Sequence, residues 1–193
     1  MMRIAFFDFD GTITYRDSML DFIRYAKGDL RFAVGMILLF PMLISYKLGR
    51  ISRHRAKELF LSHFFKGMRR KALQDIADAY SLTRIAKILR PETMEEFRRH
   101  LKQNDKVVVV SASVDIWLRA WCRKNGVELI ATRLEYTNNR FAGRLFGENC
   151  RGREKVLRIL EKFDLTLYSS IYAYGDSDGD DDMLALAHVS VRV

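Results

Sequence analysis

The sequence predicts an α/β protein: a parallel sheet with helical crossovers, interrupted early by a long all-helical segment. Three observations predict it. First, short apolar runs rich in aromatic and β-branched residues recur at residues 3–7, 106–110, 129–131 and 171–174, as in strands buried on both faces. Second, amphipathic helical stretches separate the later runs, the pattern of a parallel sheet with right-handed crossovers. Third, residues 14–90 show helical spacing alone. A chain of 193 residues holds one such domain with one sizeable insertion.

Taken in order, residues 3–7 form the first strand, which stops at Asp8. Asp8 and Asp10 then stand at i and i+2, before a Gly11 that permits a tight turn. Residues 17–27 read as a helix, with Leu20, Phe22 and Ile23 among Asp21 and Arg24. Residues 32–46 are the most apolar stretch, bracketed by Arg31 and Lys47 and interrupted by Pro41. Fifteen residues fall short of the roughly 20 needed to cross a bilayer, so a buried helical hairpin or kinked helix is expected. An interfacial segment is the second reading, and Met36, Phe40 and Met42 are candidates to line an apolar pocket. Residues 51–67 and 71–89 continue the helical pattern, with His54 and His63 read as surface or internally satisfied histidines.

At Pro91 the pattern changes. A helix over 92–103 leads to the β-branched run 106–110, which ends at Ser111-Ala112-Ser113. A helix over 115–125 is closed by Gly126. A third strand at 129–131 is followed by a hairpin over 133–147 turning at Asn138-Asn139. A helix over 154–163, a strand at 171–174, a helix opening at Met183 and a closing strand at 189–193 complete the chain.

An apolar content of 49%, with only two prolines and eleven glycines, belongs to a packed chain rather than a disordered one. Two cysteines, Cys122 and Cys150, are too few for a disulfide framework, so a reducing, cytoplasmic compartment is expected. No secretory leader is expected either, because the N-terminal apolar run is short and broken by Asp8. The formal charge of +9 is uneven: residues 14–90 carry 16 Lys and Arg against 6 Asp and Glu, and the remainder 17 against 18. The excess is either a set of solvated helix faces or an attraction to an anionic surface, including peripheral contact with lipid head groups. No nucleic-acid-binding motif accompanies it.

The polar residues that carry chemistry all follow strands: Asp8 and Asp10 the first, Ser111 the second, Asp176 and Asp180 another. Ligands of an open α/β sheet bind at the strands' carboxyl ends, so these motifs are expected to meet at one edge. Four carboxylates in one place repel unless a hard cation joins them, and an all-oxygen donor set points to Mg²⁺. Ser111 and Lys155 supply a hydroxyl and a positive charge suited to a phosphoryl group. Asp181 and Asp182 read as solvated acids at the start of the last helix, where the helix dipole favours them.

As a set these residues resemble the motifs of the haloacid dehalogenase-like (HAD) superfamily. Phe7-Asp8-Phe9-Asp10-Gly11-Thr12 is similar to its first motif, Val110-Ser111 to its second, Lys155 to its third and Gly175-Asp176-Ser177-x-x-Asp180 to its fourth. The resemblance spans the chain with the motifs in order. It implies a Rossmann-like parallel sheet core, residues 1–13 and 91–193, with an inserted all-helical cap, residues 14–90. That cap is similar to the one in the phosphoserine phosphatase-like branch, and its apolar stretch resembles bacterial phosphatidylglycerophosphate phosphatases.

The resemblance also implies roles. Asp8 would be the nucleophile that forms an aspartyl phosphate, and Asp10 the general acid and base. Mg²⁺ would be held by the Asp8 carboxylate, the Asp10 carbonyl, Asp176 and Asp180, with Ser111, Ala112 and Lys155 on the phosphate. Asp17 stands nine residues after Asp8, where phosphoserine phosphatases place a glutamate that reads the substrate amine, and Arg53 or Lys57 would meet a substrate carboxylate. Gly179 replaces their usual asparagine and Ala112 their glycine, departures that touch substrate choice and leave the chemistry intact. The expected activity is a Mg²⁺-dependent phosphomonoester phosphatase. Its substrate would be a small phosphorylated metabolite such as phosphoserine, or a phospholipid phosphate. A phosphotransferase or mutase with the same intermediate, and a non-catalytic membrane or partner-binding module using the basic segment, are the alternatives.

Overall fold

The structure, a computed structural model, describes residues 2–193. β1 (Arg3–Phe7), β2 (Lys106–Val114), β3 (Glu128–Thr137), β4 (Arg140–Phe146), β5 (Ser170–Gly175) and β6 (Val189–Arg192) form one sheet in the order β4-β3-β2-β1-β5-β6. All neighbours are parallel except the β3–β4 hairpin. Successive side chains of β1 point to opposite faces. Ala5 and Phe7 enter one core with Val107, Val109 and Phe97, whereas Ile4 and Phe6 enter the other with Val108, Val110 and Ile159. Both faces of the central strands are therefore covered, as their continuous apolar sequence requires. Phe7 stacks on Tyr174 of β5 with ring centroids 4.2 Å apart.

Between β1 and β2 lie α1 (Ser18–Lys27), α2 (Asp29–Lys47), α3 (Arg53–Phe65), α4 (Arg70–Thr83) and α5 (Pro91–Lys102). Local chemistry sets their starts. Asp17 caps α1 by accepting from the Leu20 N–H at 3.0 Å, and Ser52 caps α3 by accepting from the Arg55 N–H at 3.1 Å. Pro91 sits in the first turn of α5, where its missing N–H costs nothing. Later, α6 (Asp115–Lys124), α7 (Arg153–Lys162) and α8 (Asp181–Ala185) alternate with strands. Asp181 and Asp182 occupy the first turn of α8. In the β3–β4 turn, Asn138 and Asn139 adopt φ of 47° and 63°.

The apolar stretch differs from expectation. It is neither a hairpin nor a core element: α2 is one unbroken helix of 19 residues in which Gly35 alone is buried. Pro41 is tolerated because the carbonyl it leaves without a helical N–H belongs to Ile37, on the solvent side. β2 also runs further than the apolar run implied, through Ser111 to Val114, with an irregularity in its pairing to β3 between those two residues. The third strand and the first arm of the hairpin are a single strand, β3, which pairs parallel with β2 and then antiparallel with β4.

Candidate active site

The carboxyl ends of β1, β2 and β5 meet at one edge of the sheet. Asp8 follows β1, and its N–H donates to the Tyr174 carbonyl of β5 at 2.9 Å. One carboxylate oxygen each from Asp8, Asp176 and Asp180 lie within 4.8 Å of one another. The Asp10 carboxylate lies outside that cluster, so three acids converge there rather than four. Gly11 makes the approach possible: its φ is +86°, and a Cβ there would collide with the Asp176 carboxylate. Asp180 is fixed by the N–H groups of Asp176 and Ser177, at 3.2 and 3.0 Å, and by the Ser177 hydroxyl at 3.0 Å.

Lys155 reaches into this cluster from α7 and is 1% exposed. Its ammonium donates to Asp8 Oδ1 at 2.5 Å, Asp180 Oδ1 at 2.6 Å and the Val110 carbonyl at 2.7 Å. With three carboxylates and one ammonium, the formal charge of the cluster is −2 when all are ionised. Burial pushes the Asp8 pKa up to about 7, with Asp180 and Asp10 adding to the rise and Lys155 opposing it. Burial also works against the charge on Lys155, but Asp8 and Asp180 outweigh it and hold its pKa above the ordinary value. A set of oxygen donors, buried on Asp8 and Asp180 and half-buried on Asp176, with a net charge of −2 fits a hard divalent cation.

Asp10 faces the helical segment. It accepts from the Ser18 N–H at 2.7 Å and from the Ser113 hydroxyl, and the two serine oxygens are 2.9 Å apart. Trp117 Nε1 donates to Ser18 Oγ at 3.2 Å, anchoring the pair. Burial, then repulsion from Asp17, raises the Asp10 pKa to about 6, against the hydrogen bonds from Ser113 and Ser18. An acid that titrates near neutrality is suited to giving and taking a proton.

These groups open into a cavity of about 390 Å³. Asp8, Asp10, Ser111, Lys155 and Asp180 line its floor, and Met36, Leu43, Tyr46, Ala56 and Phe60 of the helical segment line much of its wall. Ser111 is buried and its hydroxyl accepts from the Ser113 N–H at 3.0 Å. Ala112 is also in the lining, its carbonyl taken by Lys57 Nζ at 2.8 Å and Thr132 Oγ1 at 2.7 Å. Asp17, Arg53 and Lys57 all reach the cavity. Lys57 also donates to Asn149 Oδ1 at 2.7 Å, and burial lowers its pKa to about 8, with Asp10 and Asp17 opposing. Of the two histidines on α3, His54 contacts Glu148 at 3.1 Å and Glu58 at 3.4 Å, and His63 packs edge-on against Phe64.

Sequence reasoning missed Ser113, Ser18, Asn149 and Arg151. Ser113 carried a signal, since it stands two residues beyond Ser111 and so on the same side of an extended chain. Asn149 and Arg151 sit in an irregular connection without a spacing to flag them. Arg151 packs over Gly179, where a Cβ would collide with its guanidinium, and pairs with Asp178.

A set of three strand-end acids around a buried lysine, with a fourth acid held apart, defines a class. The chain belongs to the haloacid dehalogenase-like hydrolase family, whose model matches residues 5–185. It is a hydrolase with the fold of phosphoserine phosphatases. Among individual proteins, it is similar to Protein CicA of Caulobacter vibrioides, 37% identical over 185 residues that span 94% of this chain and 81% of that one. It is similar in structure to a Bordetella pertussis Tohama I protein of unknown function, with a TM-score of 0.84 and 25% identity over 100% of this chain and 90% of that one. A phosphoserine phosphatase solved as a phospho-aspartyl intermediate analogue shares the fold, with a TM-score of 0.62 and 18% identity over 99% and 86% of the two chains.

Proposed function

We propose that the protein is a Mg²⁺-dependent phosphomonoester phosphatase working through an aspartyl phosphate on Asp8. The observation that carries this reading is the division of labour among the acids: Asp8 stands in the cluster with Asp176, Asp180 and Lys155, and Asp10 is held outside it by Ser18 and Ser113. Residues 14–90 act as a cap over the site, and α1–α3 supply the cavity wall.

In the first half-reaction an Asp8 oxygen attacks phosphorus, the bond to the leaving oxygen breaks, and Asp10 gives that oxygen its proton. In the second, water attacks the phosphorus of the acyl phosphate while Asp10 takes its proton, freeing Asp8 and inorganic phosphate. Lys155 and the Ser111–Ala112 segment hold the equatorial phosphate oxygens, where charge builds. Asp8, Asp176, Asp180 and the Asp10 carbonyl would hold Mg²⁺, which supplies charge neutralisation between the carboxylate and the phosphate. Lys155 also keeps Asp8 Oδ1 in place while burial works against the carboxylate's charge.

The substrate is a phosphorylated metabolite, such as phosphoserine, or a phospholipid phosphate. Asp17, Arg53 and Lys57 border the cavity and would meet the polar part of a substrate. Lys57 is already bonded to two acceptors, which leaves Arg53 the better partner for a second anionic group. The apolar wall supports a substrate with an apolar part. Cys122 and Cys150, both unpaired and buried, agree with a cytoplasmic setting.

The test is phosphate release from p-nitrophenyl phosphate, phosphoserine, sugar phosphates and phosphatidylglycerophosphate in micelles, with and without EDTA. Acid quench with a ³²P-labelled substrate should leave label on the wild-type chain and none on Asp8→Asn. Activity that survives exhaustive chelation, or label retained by Asp8→Asn, would overturn the assignment.

A further inference from the structure

The outer face of α2 is the feature of the molecule that the chemistry above does not absorb. Leu30, Ile37, Leu38 and Phe40 are 78%, 73%, 64% and 61% exposed, and Val34, Ile44 and Leu48 are exposed beside them. At about 100° per residue these seven side chains fall within an arc of roughly 160°. The opposite arc is packed. Phe32, Met36, Leu39, Met42 and Leu43 lie against the core, and a Cβ on Gly35 would run into the Phe64 ring. The helix is therefore apolar on both sides, but the described residues cover only one of them. A contiguous apolar surface of this extent marks an interaction site.

Charge identifies the partner. From Leu30 to Lys57 the chain has six cations, Arg31, Lys47, Arg50, Arg53, Arg55 and Lys57, and no acid, and Asp29, the one acid of α2, is already paired with Arg24. Arg31 stands near one end of the apolar arc, Lys47 and Arg50 at the other, and all three are exposed. A second copy docked on this face would set like charges against each other. An anionic lipid surface would satisfy both the apolar face and its basic margins.

We propose that α2 is an interfacial helix that docks the protein on an anionic membrane surface. Leu30, Val34, Ile37, Leu38, Phe40, Ile44 and Leu48 enter the head-group boundary, and Arg31, Lys47 and Arg50 meet lipid phosphates. In length and composition α2 also matches a membrane span, but one side is fastened to the protein, so it lies along the surface. A further consequence rests on the phosphatase reading above. Met36, Leu43 and Tyr46 of the same helix line the catalytic cavity, so docking sets the cavity wall beside lipid, and the substrate is an amphiphilic phosphomonoester.

The experiment is co-sedimentation of the full chain with phosphatidylglycerol/phosphatidylcholine vesicles and with phosphatidylcholine alone, over a salt series. p-Nitrophenyl phosphate hydrolysis and sedimentation velocity are measured on the same samples. Binding to the anionic vesicles is expected to fall as salt rises and to be at least tenfold weaker on phosphatidylcholine. Ile37→Glu with Leu38→Glu should lose binding more than tenfold and keep the soluble activity and circular dichroism of wild type. Lys47→Glu with Arg50→Glu should lose binding several-fold and provides a second variant if the first misfolds. Failure of the wild type to bind, binding indifferent to both variants, or a lipid-free dimer dispersed by Ile37→Glu would overturn the proposal. Vesicle binding without p-nitrophenyl phosphate hydrolysis would uphold docking and defeat the phosphatase reading. Hydrolysis without binding would do the reverse.

Discussion

The strand-end site and the outer face of α2 break the same rule in opposite directions. The site buries charge: Asp8, Asp180 and Lys155 are almost fully enclosed. The α2 face exposes large apolar side chains. Buried charge is costly unless paired and hydrogen-bonded, and at the site nearly every group has its partner within the chain. Lys155 makes three contacts with the cluster and its rim, and Asp180 accepts from Ser177 and two backbone N–H groups. What remains unbalanced there is a net negative charge, which a divalent cation can settle. On the outer face of α2 the described residues supply no internal partner. The site is an almost complete set of interactions that one small cation can finish, whereas the helix face calls for an extended surface.

If that contrast is right, damage to the site is chemical and damage to α2 is not. Asp8→Asn should have the largest effect, lowering phosphate release on the order of 10⁴-fold or more, the scale on which loss of a nucleophile is measured. Asp10→Asn should follow, at about 10²–10⁴-fold, the range of general acid–base assistance. The loss should be smaller with p-nitrophenyl phosphate than with an alkyl phosphate, because nitrophenolate leaves without a proton. Equal losses on both substrates would place the role of Asp10 outside leaving-group protonation. Gly11→Ala should come third. Its Cβ collides with the Asp176 carboxylate, so Mg²⁺ affinity, titrated by activity and by calorimetry, should fall about 10–100-fold, as for other losses of ligand orientation. Unchanged affinity would mean that Asp176 is free to move, and the cluster less fixed than its geometry implies.

Much of this site was legible because its parts are local: Asp8-x-Asp10-Gly11 and Gly175-Asp176-Ser177-x-x-Asp180 each follow an apolar strand, and parallel topology brings strand ends together. The same reading singled out Lys155 but could not show its burial, since one lysine on an amphipathic helix looks like any surface lysine. It also expected four converging carboxylates. The turn after Asp8 carries Asp10 away to Ser18 and Ser113, partners 8 and 103 residues distant, and separations of that kind leave no periodic trace. The apolar stretch misled for a related reason. Apolar composition says that a helix wants to leave water, and burial in the protein was the default destination. Whether another element arrives to cover both of its faces is decided by packing, and here only one face was met.

The fourth prediction separates charge burial from metal binding. The ordinary carboxyl pKa is 3.8, whereas folding raises Asp10 to about 6 and Asp8 to about 7. The folded, metal-free chain therefore holds protons that the unfolded chain releases. This stabilisation is complete below about pH 4 and is lost as pH rises through 6 and 7. In EDTA the melting temperature should fall by several degrees between pH 5 and pH 8. Mg²⁺ binds the deprotonated carboxylate, so its stabilising effect should grow over the same interval. Differential scanning fluorimetry across that range checks both slopes. A flat EDTA profile would mean that the two carboxylates are better solvated than their enclosure implies.

The smallest effect is expected on α2, and its smallness is the point. Leu38 is 64% exposed, and glutamine matches leucine closely in helix propensity. In lipid-free solution Leu38→Gln removes no packed contact, so stability to urea should stay within about 0.5 kcal/mol of wild type, the usual range for surface substitutions. The slope of the transition should also be unchanged, because the area exposed on unfolding barely alters. A loss of about 2 kcal/mol or more, the size of a core truncation, would show that Leu38 is covered in solution, by a second copy or by a rearranged helix. It would remove the difference between a site that the protein completes for itself and a face that it leaves for something else to cover.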